Sequence, residues 1–262
     1  MKIGFALNEI LALLTGFTAL LWLAWWRIRR GHRAAGRPWW VAWGADFFGV
    51  IALVFGCRVA LADWMHVPTG SMEPTVRVGD VILINHLAYG PRLPFTNTAI
   101  PLGAPKRGDV VVFRNPRDVD EFWVKRVIGL PGDHVRFDHD AVAVDGEPFS
   151  LRLTGRGDRA DDLGQWLGRE SAGGREHAIK VTPSMQGVLP MAVGEPDCGN
   201  DGPSRWHCTV PPGHLLVLGD NRDNSADSRV FGFLPMREVY GRADRVIVNF
   251  KEWGRIGTAL AP

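Results

Sequence analysis

The chain's 262 residues, 46% hydrophobic and 22% charged, suffice for one ordinary domain or two small ones and argue against a disordered polypeptide. The net charge of +2 hides an asymmetry: residues 1–62 carry seven Lys/Arg against Glu9 and Asp46, whereas the remaining 200 carry 23 against 26. That acidic balance in the larger part, without a basic stripe, argues against nucleic acid as a partner.

Ile10 to Trp26 runs for seventeen residues without a charge, and about 17 to 25 apolar residues cross a bilayer. A secretory signal peptide is the alternative. Its apolar stretch would be about 7 to 15 residues long and end at a small-residue cleavage site. Here the stretch ends in Leu21 to Trp26 and then Arg27, like an aromatic interface belt. Residues 1–26 are therefore read as a first transmembrane segment. A second, residues 39–62, starts near Trp39 or Phe47 and takes in Asp46 and Arg58. The Arg58 stem is expected to snorkel to the far interface, and a functional acid at Asp46 is the sharper alternative. Between the spans, residues 27–38 hold Arg27, Arg29, Arg30, Arg33 and Arg37. By the positive-inside rule this loop is cytoplasmic, which puts residues 63–262 outside. Cys57 then falls in a span as an apolar filler, while Cys198 and Cys208 lie in an oxidising compartment that permits a disulfide. A zinc site there lacks ligands beyond His207.

From Met65 onward, short apolar runs alternate with Gly, Pro, Asp and Asn. Residues 78–85, 109–115, 122–130, 134–138, 141–149, 214–221 and 244–250 read as strands, with a hairpin turn at Asp145-Gly146. The fold class expected is a mostly β domain preceded by two transmembrane helices. Residues 151–210, rich in Gly, Arg and Asp, read as an insertion with little regular structure.

Three segments of this domain concentrate chemistry. In VPTGSMEPTVRVGD, residues 67–80, Ser71 sits between Pro68 and Pro74, which exclude a helix interior, and Gly70 lets the chain turn beside a nucleophilic hydroxyl. In FWVKRVIGLPGD, Lys125 stands out because this domain has only four lysines, Lys106, Lys125, Lys180 and Lys251, among its 23 cations. Burial among Trp123, Val124 and Val127 would lower its pKa and fit it as a neutral general base, which arginine cannot become. Alternation puts Arg126 on the opposite face, in a structural role. The third segment, GDNRDNSADSR at 219–229, lacks the register of a calcium loop and suits a hydrogen-bonded scaffold around the base. No histidine falls in the three segments, so Ser71 and Lys125 make a simpler pair than a Ser-His-Asp triad.

PTGSMEPT, KRGDVVVF, WVKRVIGLPGD and GDNRDNSADSR, followed by FGFLP and YGRA, resemble the bacterial type I signal peptidases in order and spacing. The resemblance implies a signal-peptidase-like β fold and a serine endopeptidase without cofactor or metal, in the bacterial inner membrane with its catalytic domain on the periplasmic face. It implies Ser71 as nucleophile, Lys125 as general base, and an oxyanion hole from the Ser71 N–H and the Thr69 hydroxyl. Ser225 would hydrogen-bond the lysine, supported by Asp227, Arg229, Asp220 and Arg126. Val67, Met72, Val76, Trp123 and Val124 would line shallow pockets for small residues before the cut, with Trp123 replacing the tyrosine common in relatives. Implied partners are secretory preproteins and membrane lipid, near the secretion translocon. A maturation peptidase dedicated to one partner, or a non-catalytic scaffold of the same fold, are the alternative readings.

Overall fold

The computed structural model describes residues 3–31, 38–91, 100–116, 118–138, 141–157, 164–172, 174–182, 197–202 and 205–260. Arg33 and Arg37 of the basic loop, and much of the expected insertion, lie outside these residues. Helix α1 (Ile3–Gly31) and helix α2 (Trp39–Ala60) each contain a stretch long and apolar enough to cross a membrane. They lie against each other where small residues permit it. A Cβ on Gly44 would come within 2.2 Å of Leu21 Cδ1, and Trp22 and Phe48 rings meet at 5.8 Å. Helix α1 does not stop at Trp26 but carries Arg27, Arg29 and Arg30 in its last turns, where cations suit the helix C-terminus. Asp46 is exposed.

Arg58 lies in the last turn of α2, beside the β domain. Its guanidinium turns to Asp63, at 2.7 Å, and lies 4.1 Å over the Trp64 ring. The reason is chain geometry: only Leu61 separates α2 from strand β1 (Ala62–His66), so a carboxylate sits one short step beyond the helix end. Tyr240 Oη donates to the other Asp63 oxygen, 3.3 Å away, pinning the helix to the domain.

The remaining strands follow in order: β2 (Asp80–Asn85), β3 (Val110–Asn115), β4 (Asp118–Gly129), β5 (His134–Asp138), β6 (Ala141–Val144), β7 (Glu147–Pro148), β8 (Ser150–Arg156), β9 (Trp166–Ala172), β10 (Arg175–Val181), β11 (Cys198–Gly202), β12 (Arg205–Thr209), β13 (His214–Leu218), β14 (Leu234–Pro235) and β15 (Val239–Asn249). They form three antiparallel sheets. The largest has the order β1-β2-β15-β3-β4-β13-β14, a second is β11-β12-β5-β6-β7, and the third is β10-β9-β8. Strict alternation shows in β2, where Asp80, Ile82 and Ile84 are buried and their neighbours only partly so. One face of the large sheet packs Val110, Val112, Val124, Ile82 and Ile84 with Met72 and Val76, and the other packs Val111, Phe113, Val127, Leu215 and Val217.

The expectation of little regular structure over 151–210 is wrong. The segment supplies β9 to β12 and most of β8. Strands β8 and β11 escape an apolar-alternation reading because they bury little: every residue of β8 except Gly155 is exposed, and β11 reads CGNDG. Backbone ladders rather than an apolar face hold these two, whereas β10 buries Ile179 and Val181 and β12 buries Trp206 and Cys208. Cys198 and Cys208 are directly opposed in β11 and β12 and form a disulfide with Cα atoms 4.1 Å apart.

Candidate active site

The connection between β1 and β2 carries Ser71. Its ends are tied, Val67 N donating to Asp80 O at 2.8 Å and Gly79 N to Val67 O at 2.9 Å. Inside it, Met72 and Val76 insert into the core, which leaves Ser71 at the core's rim. Arg255 braces the loop by donating to Thr75 O, 2.8 Å, and by pairing with Asp80 at 2.6 Å. Burial alone would raise the Asp80 pKa, but Arg255, the Arg77 N–H and Asn249 hold it below the ordinary carboxylate range.

Lys125 reaches this loop from β4. It is 4% exposed, its Nζ lies 2.7 Å from Ser71 Oγ, and it donates to Val124 O at 3.0 Å. The Trp123 ring centroid lies 5.6 Å from the amine. Burial lowers the lysine pKa, Asp227 and Asp220 pull it partly back and Arg229 lowers it further, leaving it at about 8. A base that is partly neutral near neutrality suffices for catalysis.

The supporting groups meet around that amine. Arg126, fully buried, holds Asp220 through two bonds of 2.8 and 2.7 Å and donates to Gly108 O. Asp227 accepts from Arg229 Nε and Nη2, both 2.8 Å, and from Gly219 N at 3.0 Å. Burial would raise both carboxylates, yet the facing guanidinium keeps each ionised below its ordinary pKa. Two carboxylates thus stay charged within the field of Lys125.

Two expectations fail. Ser225 does not hydrogen-bond Lys125; its Oγ is buried without a partner. The amine is directed to Ser71 and Val124 O, while Ser225 Oγ lies over the bare Cα of Gly219, where a Cβ would be only 2.2 Å away. Val76 is not among the residues lining the cleft beside Ser71: it is fully buried among Ile82, Ile84 and Val246.

Val67, Thr69, Met72, Trp123 and Val124 do border one cleft of about 450 Å³ with Ser71 and Lys125 on its floor. Phe122, Glu121, Asn224 and Ala226, not anticipated from the sequence, complete it, and Glu121 fixes the indole by accepting from Trp123 Nε1 at 2.9 Å. No histidine is among the residues lining it. Strand β13 pairs with β4 only from Arg126 to Gly129, so beside Phe122 to Val124 no described strand occupies that edge. An extended peptide can add there by strand pairing. Gly219 was missed as well, because its role is a close approach across the fold and leaves no mark in local sequence.

A family model described as signal peptidase, peptidase S26, matches residues 40–248. A signal peptidase I of Pseudomonas aeruginosa is 38% identical over 238 residues, covering 83% of this chain and 78% of the relative. One of Aquifex aeolicus is 33% identical over 216 residues, covering 76% and 80%. Among solved structures, a signal peptidase I of Enterococcus faecalis matches with 26% identity and a TM-score of 0.31, over 53% of this chain and 95% of that one.

Proposed function

The chain belongs to the signal peptidase family, peptidase S26, a serine endopeptidase that removes signal peptides, and from that premise we propose that Ser71 and Lys125 carry out the cleavage. The observation that carries the assignment is the 2.7 Å approach of a buried amine to the Ser71 hydroxyl. With Lys125 neutral, its lone pair takes the Oγ proton as Oγ bonds to the scissile carbonyl carbon. The oxyanion that forms accepts from the Ser71 N–H and the Thr69 hydroxyl. The Lys125 ammonium then protonates the leaving amine as the C–N bond breaks, giving an ester on Ser71. Water attacks that ester, loses its proton to Lys125, and the serine recovers its own proton as the acid leaves.

Secretory preproteins are the substrates. Their segment before the cut pairs along the open edge of β4 at Phe122 to Val124, with side chains over Val67, Met72 and Trp123. Apolar Val67, Met72, Phe122 and Val124 border the cleft, which suits small uncharged residues. Purified full-length enzyme in detergent should cut a generic secretory preprotein at its signal junction, and Ser71→Ala should abolish the cut. A parent without cleavage, or a Ser71→Ala variant with parental rate, would remove the assignment.

The basic residues Arg27, Arg29 and Arg30 end α1 on the cytoplasmic side, so the β domain lies on the periplasmic face of the inner membrane, in contact with lipid. Preproteins leaving the translocon meet it there. Protease added after outer-membrane permeabilisation should digest the β domain and spare an N-terminal fragment; digestion only from the cytoplasmic side would reverse this orientation.

A further inference from the structure

Glu73 follows the proposed nucleophile by two residues, and the mechanism above does not use it. Its carboxyl packs against Gly70: a Cβ there would stand 3.2 Å from Glu73 Cδ and 3.3 Å from Oε1. Gly70 is not in a left-handed conformation, and a side chain there would crowd the Glu73 carboxyl. The neighbouring peptide, Gly70–Ser71, is the one whose N–H would face the oxyanion. A carboxylate so close opposes a second negative charge developing there, and burial of Glu73 removes the water that would screen it.

Lys180, at the end of β10, answers that charge. Its Nζ lies 2.7 Å from Glu73 Oε2, with both side chains largely buried. The strand that delivers it is sewn to the scaffold on the same side: Lys180 N donates to Asp220 O at 2.8 Å and Arg222 N to Lys180 O at 2.9 Å. Asn221, between them, gives its backbone N–H to Ser71 O and its side-chain amide to Gly70 O, each at 3.1 Å. Thr75 Oγ1 donates to Ala178 O, 3.4 Å, on the same strand. The small sheet β8–β10 therefore touches the nucleophile loop from behind and carries the cation that neutralises it.

We propose that Lys180 is a positioning residue for signal-peptide cleavage, holding Glu73 and cancelling its charge beside the oxyanion hole. The inference rests on Ser71 as nucleophile. It separates two effects that a purely structural salt bridge would merge, because the damage from losing Lys180 comes from the carboxylate left behind.

The test uses full-length enzyme in detergent with a secretory preprotein, measuring kcat, KM and Tm for Lys180→Met, Glu73→Gln and the double variant. Lys180→Met should lower kcat by about 10- to 100-fold with KM within about threefold. Glu73→Gln should stay within about fivefold of the parent, and adding it to Lys180→Met should restore kcat to that same range. A Lys180→Met enzyme within twofold of the parent, or a double variant no faster than Lys180→Met, would overturn the proposal. Should Lys180→Met fail to fold, the double variant decides alone: near-parental kcat supports charge cancellation, and a loss of about tenfold or more with a native Tm refutes it. Ser71→Ala assayed in parallel keeps the questions apart, since its retention of activity would sink the nucleophile assignment and its loss leaves only Lys180 in question.

Discussion

Lys125→Arg is expected to be as inactive as Ser71→Ala, about 10³-fold or more below the parent in kcat/KM, in a domain that still folds. Both side chains are long and cationic, so a lysine that merely balanced Asp227 and Asp220 would be replaced with partial activity. A base must be neutral before it takes the serine proton, and guanidinium does not reach that state at usable pH. The parent should show the matching pH limb. With the folded lysine at about 8, kcat/KM falls as pH drops below that value, because the ammonium has no lone pair, and levels off above it. The unfolded lysine titrates near 10.5, so the unfolded chain binds more protons between about pH 8 and 10.5. This group's contribution to stability therefore rises with pH across that window. Retention of a tenth of parental kcat/KM by the arginine variant, a loss of only about 1.4 kcal/mol, would return Lys125 to a structural role.

Gly219→Ala is expected to cost about 10²-fold or more in kcat/KM. The glycine has no left-handed backbone to preserve, so the effect is steric. A Cβ would lie 2.2 Å from Ser225 Oγ and 2.5 Å from the Ser71 carbonyl oxygen. The serine hydroxyl can rotate away. The carbonyl cannot, because it also accepts from Asn221 N, so the nucleophile's own peptide must move. A displacement near 1 Å at a reacting group is enough for such a loss. Ser225→Gly in the same chain removes the first contact but not the second, and should recover little. Activity of Gly219→Ala within twofold of the parent, measured as kcat/KM, would show that the loop yields without moving Ser71.

Much of this site was legible because its elements obey local rules. Ser71 lies in a Pro-bounded turn, Lys125 interrupts an apolar strand in a domain that otherwise favours arginine, and β2, β3 and β5 announce themselves by alternation or by apolar runs. What escaped was set by distance in the chain. Gly219 and Glu73 matter through atoms brought together by the fold. Lys180 was one of the same four lysines whose scarcity drew attention to Lys125, but scarcity without a nearby motif gave it no role. Strands β8 and β11 escaped because they are held by backbone pairing with little burial, so hydrophobic periodicity had nothing to report, whereas β10 and β12 do bury apolar residues but are short runs inside a Gly- and charge-rich segment. Val76 was misread for the opposite reason, since an apolar residue near a nucleophile serves a pocket or a core equally well by sequence.

Strand β15 lies between β2 and β3, which do not pair with each other. Ser71 belongs to the β1–β2 unit and Lys125 to the β3–β4 unit, so residues 239–249 join the two halves of the site. Both reactive side chains emerge well before residues 239–249, yet the sheet that aligns them closes only once those residues have been made. Such a long-range pairing is a slow step of folding. It also means that a nascent or prematurely ended chain has a serine and a lysine but no aligned pair.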